Sequence, residues 1–149
     1  MTTHHVERVF AYPIAPLFAL IADIESYPLY MPGWQAARID QRAPQHLEVE
    51  QVVSLAGLSL QFRSVAELDP PHRLQISSSQ SPFRKFRLVW QLRSLCPTST
   101  AVRADFDLSF RTAVFERIAE RIAPIMLNRT IEAFAQRAAH HLPVLPPEI

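Results

Sequence analysis

The chain has 149 residues, of which 48% are hydrophobic and 19% are charged, and its formal net charge is +1. This length suits one domain, the composition excludes an intrinsically disordered protein, and the small net charge argues against nucleic-acid binding by the chain as a whole. Because Cys96 is the single cysteine, an internal disulfide and a thiolate zinc site within one chain are also excluded.

The first quarter of the sequence predicts a strand followed by short helices. Residues 4–12, HHVERVFAY, alternate as a strand does, and residues 16–24, PLFALIADI, have the spacing of a short amphipathic helix. The next stretch, residues 26–34, is called the SYPLYMPGW segment below. Its prolines and glycine interrupt any regular helix, although most of its residues are large and apolar or aromatic: Tyr27, Leu29, Tyr30, Met31 and Trp34.

The middle of the chain shows the period of two that is typical of antiparallel strands with one face in water. In residues 58–69 the even positions are apolar or small and the odd positions are mostly polar. The same pattern recurs in residues 47–55, 86–92 and 101–110, and residues 72–79 are a shorter candidate strand. Asp105 and Asp107 fall on the polar side of the last strand, so we interpret this carboxylate pair as outward-facing rather than catalytic.

Residues 112–141 have the period of one long helix, and the order of elements predicts an α+β fold. We expect a curved antiparallel sheet of about seven strands wrapped around this helix, with two short helices after the first strand. Residues 1–141 would form the single domain, followed by a proline-rich tail at residues 142–149. The apolar positions of the long helix are Phe115, Ile118, Ile122, Ile125, Met126, Leu127, Ile131, Phe134 and Ala138.

A sheet of seven strands is on the order of 30 Å wide, whereas one helix with its side chains is ~10 Å across. The helix therefore cannot cover the whole face of the sheet. Large side chains could fill the remaining space, or it could stay open as an apolar pocket, and the pattern alone leaves both possibilities open.

The sequence carries no motif for catalysis or metal binding. None of the histidines has the spacing of a metal-binding helix, and two glycines cannot supply a phosphate loop or a dinucleotide fingerprint. Cys96 precedes Pro97 and has no basic neighbour that would lower the pKa of its thiol. We therefore expect no catalytic residue, no catalytic cofactor and no metal site.

Three stretches together resemble a known family. They are ADIESYPLYMPGW (residues 22–34), SPFRKFRLVWQL (residues 81–92) and FDLSFRTAVFERIAERIAPIMLNRTIEAFAQRA (residues 106–138). With the order of elements, they resemble the helix-grip fold of START-like lipid-transfer and polyketide-cyclase-like domains. Within that superfamily the chain is most similar to the coenzyme Q-binding and ribosome-association-toxin branch.

The resemblance implies a hydrophobic tunnel between sheet and helix that holds a lipid without catalysis. A polyprenyl quinone such as ubiquinone is the expected ligand, in support of respiration or quinone biosynthesis. The SYPLYMPGW segment would form the lid of the tunnel and could touch a membrane, or its Tyr27 and Trp34 could simply pack a short helix onto the sheet. The residues assigned to the ligand are Leu60, Phe62, Leu88, Trp90, Phe106, Met126 and Ile131.

Two other functions stay open at this point. The chain could be a ribosome-binding regulator that blocks subunit association, with Arg84, Lys85 and Arg87 as its contact, although these residues could equally meet lipid headgroups. It could also be a polyketide cyclase or aromatase. The N-terminal residues do not resemble a secretory signal, and no apolar stretch approaches the ~20 residues that span a bilayer. We expect a cytoplasmic protein, with peripheral contact to the inner face of the membrane as an option and its oligomeric state open.

Overall fold

Seven strands of the computed structural model pair into one antiparallel sheet, in the order β1-β7-β6-β5-β4-β3-β2. The structure describes residues 2–55, 57–80 and 83–142, so residues 143–149 of the predicted tail, and Ser81 and Pro82 of the second family stretch, lie outside the described residues. The elements are β1 (Thr2–Phe10), α1 (Ile14–Ala22), a 3-10 helix (Ile24–Leu29), β2 (Trp34–Ala43), β3 (His46–Leu55), β4 (Leu58–Asp69), β5 (Arg73–Ser78), β6 (Phe83–Cys96), β7 (Ser99–Phe110) and α2 (Ala113–His141).

This architecture confirms the predicted α+β helix-grip fold. Strands β2 to β7 form successive antiparallel hairpins, and β1 joins the sheet beside β7. The long helix α2 packs against β1 and β7, while the 3-10 helix packs against β2 at the other edge. The short helices therefore cover the part of the sheet that α2 alone cannot reach.

The alternation in the sequence correctly predicts which face of each strand is buried. In β4, Phe62, Ser64 and Ala66 are buried, whereas Arg63 and Glu67 are exposed. The inner face is apolar because burying hydrocarbon surface is the main favourable contribution to folding. The other inward residues of the central strands are Leu47, Val49, Gln51, Val53, Leu74, Ile76, Phe86, Leu88, Trp90, Leu92, Val102, Ala104, Phe106 and Leu108.

Strand β2 has no counterpart among the strands singled out in the sequence. Its residues, WQAARIDQRA, are exposed or half-buried throughout, because β2 lies at the edge of the sheet and is paired only with β3. An edge strand that is largely solvated has little need for alternating apolar residues, so its periodicity is weak.

Strand β6 is longer than predicted because it begins with an irregularity in its pairing. The register against β7 shifts between Phe83 and Lys85, so Arg84 is an extra residue at a β-bulge. The bulge places both Phe83 and Phe86 in the core, whereas Arg84 is exposed. A strict period of two could not have predicted Phe83 as an inward residue.

Helix α2 buries a different side of its first half from the one predicted. Ile125 was expected among the core-facing residues but is 52% exposed, and the fully buried positions there are Ala119 and Ala123. These alanines face the sheet because small side chains let the helix backbone approach the strands closely. In the second half the predicted Leu127, Ile131, Phe134 and Ala138 are all buried.

Candidate functional site

The SYPLYMPGW segment combines buried and exposed aromatic and apolar side chains. Tyr27 is fully buried, and its hydroxyl donates a hydrogen bond to the carbonyl oxygen of Ile21. The Tyr27 ring lies 5.1 Å from the Trp34 ring and 6.0 Å from the Tyr30 ring, both at steep angles. Of the two roles expected for Tyr27, a lid residue or a packing residue, its burial therefore fits packing.

The other predicted lid residues lie at different depths. Met31 is buried, Trp34 is half-buried, and Leu29 is 74% exposed. The Tyr30 ring is half-buried beneath the guanidinium of Arg137, 5.0 Å from its centroid. Leu29 is therefore the one of the five whose side chain is mainly in contact with solvent.

A small apolar cavity lies between the sheet, α2 and the end of this segment. Its volume is about 30 Å³, which holds only one or two water molecules, whereas drug-sized ligands occupy cavities of roughly 300–1,000 Å³. The tunnel expected from the family resemblance is therefore not open in this structure. The cavity is lined by Pro32, Gly33, Trp34, Val53, Phe86, Leu88, Phe106, Met126, Leu127 and Thr130.

The structure brings only some of the predicted ligand residues to this cavity. Leu88, Phe106 and Met126 line it. Phe62, Trp90 and Ile131 are buried elsewhere in the core, and Leu60 is half-buried. Trp90 packs on Phe134 of α2, with ring centroids 5.3 Å apart.

Phenylalanine side chains occupy much of the space next to the cavity. The Phe62 ring lies 4.7 Å from Phe83 and 5.0 Å from Phe86, and Phe83 lies 5.0 Å from Phe110. Phe86 connects this group to Phe106 at 5.6 Å. Of the two possibilities that the pattern left open, the structure shows the one in which aromatic side chains fill the interior.

The cavity adjoins a surface groove of about 560 Å³, and four residues line both: Pro32, Gly33, Trp34 and Met126. Ile122, Ile125 and Arg129 of α2 also line the groove. A Cβ atom added to Gly33 would lie 2.9 Å from Met126 Cε and 3.1 Å from the carbonyl oxygen of Ser54. Met126 has the most flexible side chain of the four, so we expect a change in its rotamer to join the groove and the cavity. We call Gly33 and Met126 the gate.

One polar pair is buried on the inner face of the sheet. Gln51 of β3 is fully buried and Ser64 of β4 is 4% exposed, and the Ser64 hydroxyl donates a 2.6 Å hydrogen bond to Gln51 Oε1. Gln51 Nε2 has no hydrogen-bond partner among the described residues. The sequence carries the signal for this pair, because Gln51 occupies an inward position between Val49 and Val53 in the alternation that predicts the strand.

The basic residues of β6 lie at the opposite surface of the sheet. Lys85 Nζ and Arg87 Nη1 are each 3.7 Å from Asp107 Oδ2, which confirms that Asp107 faces outward. Arg84 and Lys85 line two neighbouring surface grooves of about 570 and 610 Å³. Arg111, at the end of β7, lines the second groove. We call Arg84, Lys85, Arg87 and Arg111 the basic rim.

The buried polar chemistry differs from that of an acid–base active site. The buried polar side chains of the described residues are Gln51, Ser64, Thr100, Ser109 and Thr130, and none of them titrates near neutral pH. Burial, with smaller contributions from Tyr30 and Asp23, raises the pKa of Tyr27 well above its usual value.

Over the described ranges, no group of three or more His, Cys, Asp or Glu side chains could hold a metal ion. No helix in the described part of the chain is long and apolar enough to cross a membrane.

Comparisons with known proteins agree with this architecture. The profile of the family described as polyketide cyclase / dehydrase and lipid transport matches residues 10–135. The ribosome association toxin RatA of Pseudomonas aeruginosa is 24% identical over 136 residues, which cover 90% of this chain and 94% of that protein. The mitochondrial coenzyme Q-binding protein coq10 of Schizosaccharomyces pombe is 21% identical over 140 residues, covering 91% and 85% of the two chains.

A solved structure shows the same fold. The Zhui aromatase/cyclase of Streptomyces sp. R1128 superposes with a TM-score of 0.82 at 17% identity and covers 95% of this chain and 97% of that one. At this identity the likeness concerns the fold alone and carries no information on activity.

Proposed function

Because the chain belongs to the polyketide cyclase / dehydrase and lipid transport family, we propose that it binds an apolar ligand between its sheet and α2. The ligand would be a polyprenyl quinone of the ubiquinone type, held without catalysis for delivery to respiratory or biosynthetic enzymes. The observation that carries the proposal is the apolar cavity, which shares the gate residues with a surface groove.

The lining of the cavity suits hydrocarbon. Nine of the ten residues around it are apolar or glycine, and the hydroxyl of the tenth, Thr130, already donates to the carbonyl oxygen of Met126. An isoprenoid tail that buried roughly 300 Å² there would gain about 7 kcal/mol before the costs of association. The cavity would have to expand for this, by displacement of Met126 and by rearrangement of Phe86 and Phe106.

The choice of a quinone is supported by the name of the S. pombe relative, a coenzyme Q-binding protein. The absence of catalysis is supported by the buried polar side chains, which supply amide and hydroxyl groups rather than an acid or a base. Leu29, exposed at the end of the 3-10 helix, is the residue that we propose touches the inner face of the membrane during transfer. A cyclase or aromatase activity, which the name of the family also covers, would need an acid or a base in the interior, and the buried polar side chains of the described residues do not supply one.

The ligand can be identified by mass spectrometry of organic extracts from protein purified without detergent from a quinone-producing host. We expect near-stoichiometric polyprenyl quinone with the wild-type chain. The Met126→Glu variant, which places a carboxylate at the half-buried gate, should carry at least tenfold less. Asn128→Glu, which introduces the same carboxylate at an exposed position of α2, should retain the ligand. A wild-type protein that is empty and does not take up added short-chain quinone would contradict the proposal.

The basic rim supports ribosome association as a second candidate function. Arg84 and Arg111 are exposed, whereas two carboxylates near them are engaged: the Asp107 side chain is 13% exposed beside Lys85 and Arg87, and Glu116 accepts hydrogen bonds from Ser109 and Phe110. Glu48 lines the same groove as Arg84, but the basic residues of that groove outnumber it. A polyanion would therefore meet an excess of cationic groups. The name of the P. aeruginosa relative, a ribosome association toxin, points to ribosomal RNA as that polyanion.

This second candidate can be tested by co-sedimentation with separated ribosomal subunits at two salt concentrations. We expect the double variant Arg84→Glu/Arg111→Glu to bind at least tenfold more weakly and to show a smaller salt dependence, because fewer phosphate contacts release fewer counterions. Arg117→Glu/Arg121→Glu changes the charge equally on an exposed side of α2 and should bind as the wild type does. Equal loss in both double variants would mean nonspecific attraction.

A further inference from the structure

The unpartnered amide of Gln51 calls for a physical explanation. Gln51 is fully buried, and among the described residues its Nε2 has no acceptor. Buried polar groups are nearly always hydrogen-bonded, because an unpaired donor loses its bonds to water and gains nothing in return. A buried donor of this kind therefore calls for an acceptor that the described residues do not supply.

The hydrogen bond with Ser64 fixes which end of the amide is free. A serine hydroxyl needs an acceptor for its proton, and the recorded acceptor is Gln51 Oε1 at 2.6 Å. If the amide were turned around, Nε2 would donate to Ser64 Oγ, but the hydroxyl proton of Ser64 would no longer have Oε1 as its acceptor. The orientation with Oε1 on Ser64 uses both groups better, and it leaves the two N–H bonds of Nε2 for something else.

Gln51 also lies beside the cavity. It is two residues before Val53 on β3, and residues at this spacing point to the same face of the sheet about 7 Å apart. Val53 lines the cavity. On the neighbouring strand, Gln51 is paired with Phe62, whose ring lies 5.0 Å from Phe86, another lining residue. A ligand that displaced these rings would reach the amide.

We infer that Gln51 donates a hydrogen bond through Nε2 to a carbonyl oxygen of the bound ligand, and that Ser64 positions the amide for this. The inference rests on the proposed function and makes its ligand more specific: an apolar molecule with a carbonyl acceptor at its head, as a quinone ring has, rather than a plain hydrocarbon. Gln51 supplies selectivity for the head, and the apolar lining supplies most of the affinity for the tail.

The test compares two probes that share a tail, 2-decyl-1,4-benzoquinone and decylbenzene, by equilibrium ultrafiltration. The quantity compared is the ratio of the two affinities, quinone over decylbenzene, because the carbonyl groups of the quinone lose hydrogen bonds to water in any apolar site. In Gln51→Leu/Ser64→Ala, which removes both polar partners, this ratio should be at least tenfold lower than in the wild-type chain, which is the size of effect expected from one hydrogen bond to a buried donor, while decylbenzene binds within twofold of the wild type. Gln61→Leu, at an exposed position of β4, should keep the wild-type preference.

The outcomes separate the inference from the function on which it rests. If the double variant keeps the wild-type ratio of the two affinities, the role of Gln51 is wrong and the apolar site stands. If neither probe binds the wild-type chain, the apolar site itself is wrong and the inference falls with it. Gln51→Met, which keeps the unbranched shape of glutamine, repeats the comparison where the double variant does not fold by circular dichroism.

Discussion

At the scale of single residues, the lack of a side chain at Gly33 leaves room for Met126 in the closed gate. Its φ of +81° lies in the left-handed region, and an added Cβ would crowd Met126 Cε and the Ser54 carbonyl oxygen. We expect Gly33→Ala to lower the free energy of unfolding in urea by about 2–3 kcal/mol, from backbone strain and crowding together. Gly57 has a similar φ of +82° but open space around its Cα.

Gly57→Ala is therefore the matched control for the gate, with an expected cost of about 1 kcal/mol from the backbone alone. Gly33→Ala should cost less stability in a Met126→Ala background than in the wild-type chain. In that background Met126 Cε, the nearer of the two crowding atoms, is absent. Equal costs for the two glycine substitutions would show that Met126 does not press against Gly33.

Single residues also mark the limit of what the sequence could predict. Alternation correctly placed Phe62, Leu88 and Trp90 on the inner face, because a side-chain period of two follows from strand geometry. It could not show that Tyr27 is buried while Leu29, two positions later, is exposed. That difference depends on the 3-10 helix, in which the hydroxyl of Tyr27 reaches the carbonyl of Ile21. An irregular segment has no regular period that would predict which of its side chains are buried.

At the scale of elements, the Tyr27 hydroxyl joins the 3-10 helix to α1, and this contact makes a prediction about pH. Burial raises the pKa of Tyr27 well above its usual value of 10.0. Above pH 10 the unfolded chain therefore loses this proton while the folded chain keeps it, so the free energy of unfolding should fall as the pH rises. The slope approaches about 1.4 kcal/mol per pH unit for each such tyrosine.

Tyr27→Phe tests this contact by urea denaturation between pH 7 and pH 11. The variant should lose about 1 kcal/mol at pH 7, because the Ile21 carbonyl loses a buried hydrogen bond, but its stability should fall less steeply above pH 10. Leu29→Ala, at an exposed position of the same 3-10 helix, should follow the wild-type slope. Parallel curves for wild type and Tyr27→Phe would refute the role given to the hydroxyl.

The elements that the sequence failed to predict share a physical cause. The buried faces of β3, β4 and β7 left a strong period of two, whereas β2 is an edge strand and needs no buried face. The bulge at Arg84 shifts β6 out of register with its own pattern, and α2 buries alanines rather than its largest residues over its first half. The hydrophobic period of a strand or helix indicates that one of its faces is buried. It does not indicate where a small side chain or a bulge lets that element pack more closely on its neighbours.

At the scale of the whole molecule, the size of the interior was beyond the reach of the sequence. The width of the sheet showed that one helix could not cover it, but whether the remaining space is open depends on how five phenylalanine rings pack against one another. In this structure they leave about 30 Å³. Ligand uptake would therefore be a conformational event, in which α2 and the residues at the start of β2 separate around the gate.

This requirement predicts that a covalent bridge across the outer groove will slow ligand exchange. Gln35 of β2 and Arg129 of α2 both line that groove. In a Cys96→Ser background, which removes the exposed native thiol, cysteines at these two positions can be joined by a short bismaleimide. The bridged protein should take up 2-decyl-1,4-benzoquinone at least tenfold more slowly than the same variant capped with N-ethylmaleimide, because the walls of the groove can no longer part. Equal rates, with bridging verified by mass, would place the route of access elsewhere on the sheet–helix boundary and would remove Met126 from its role in the gate.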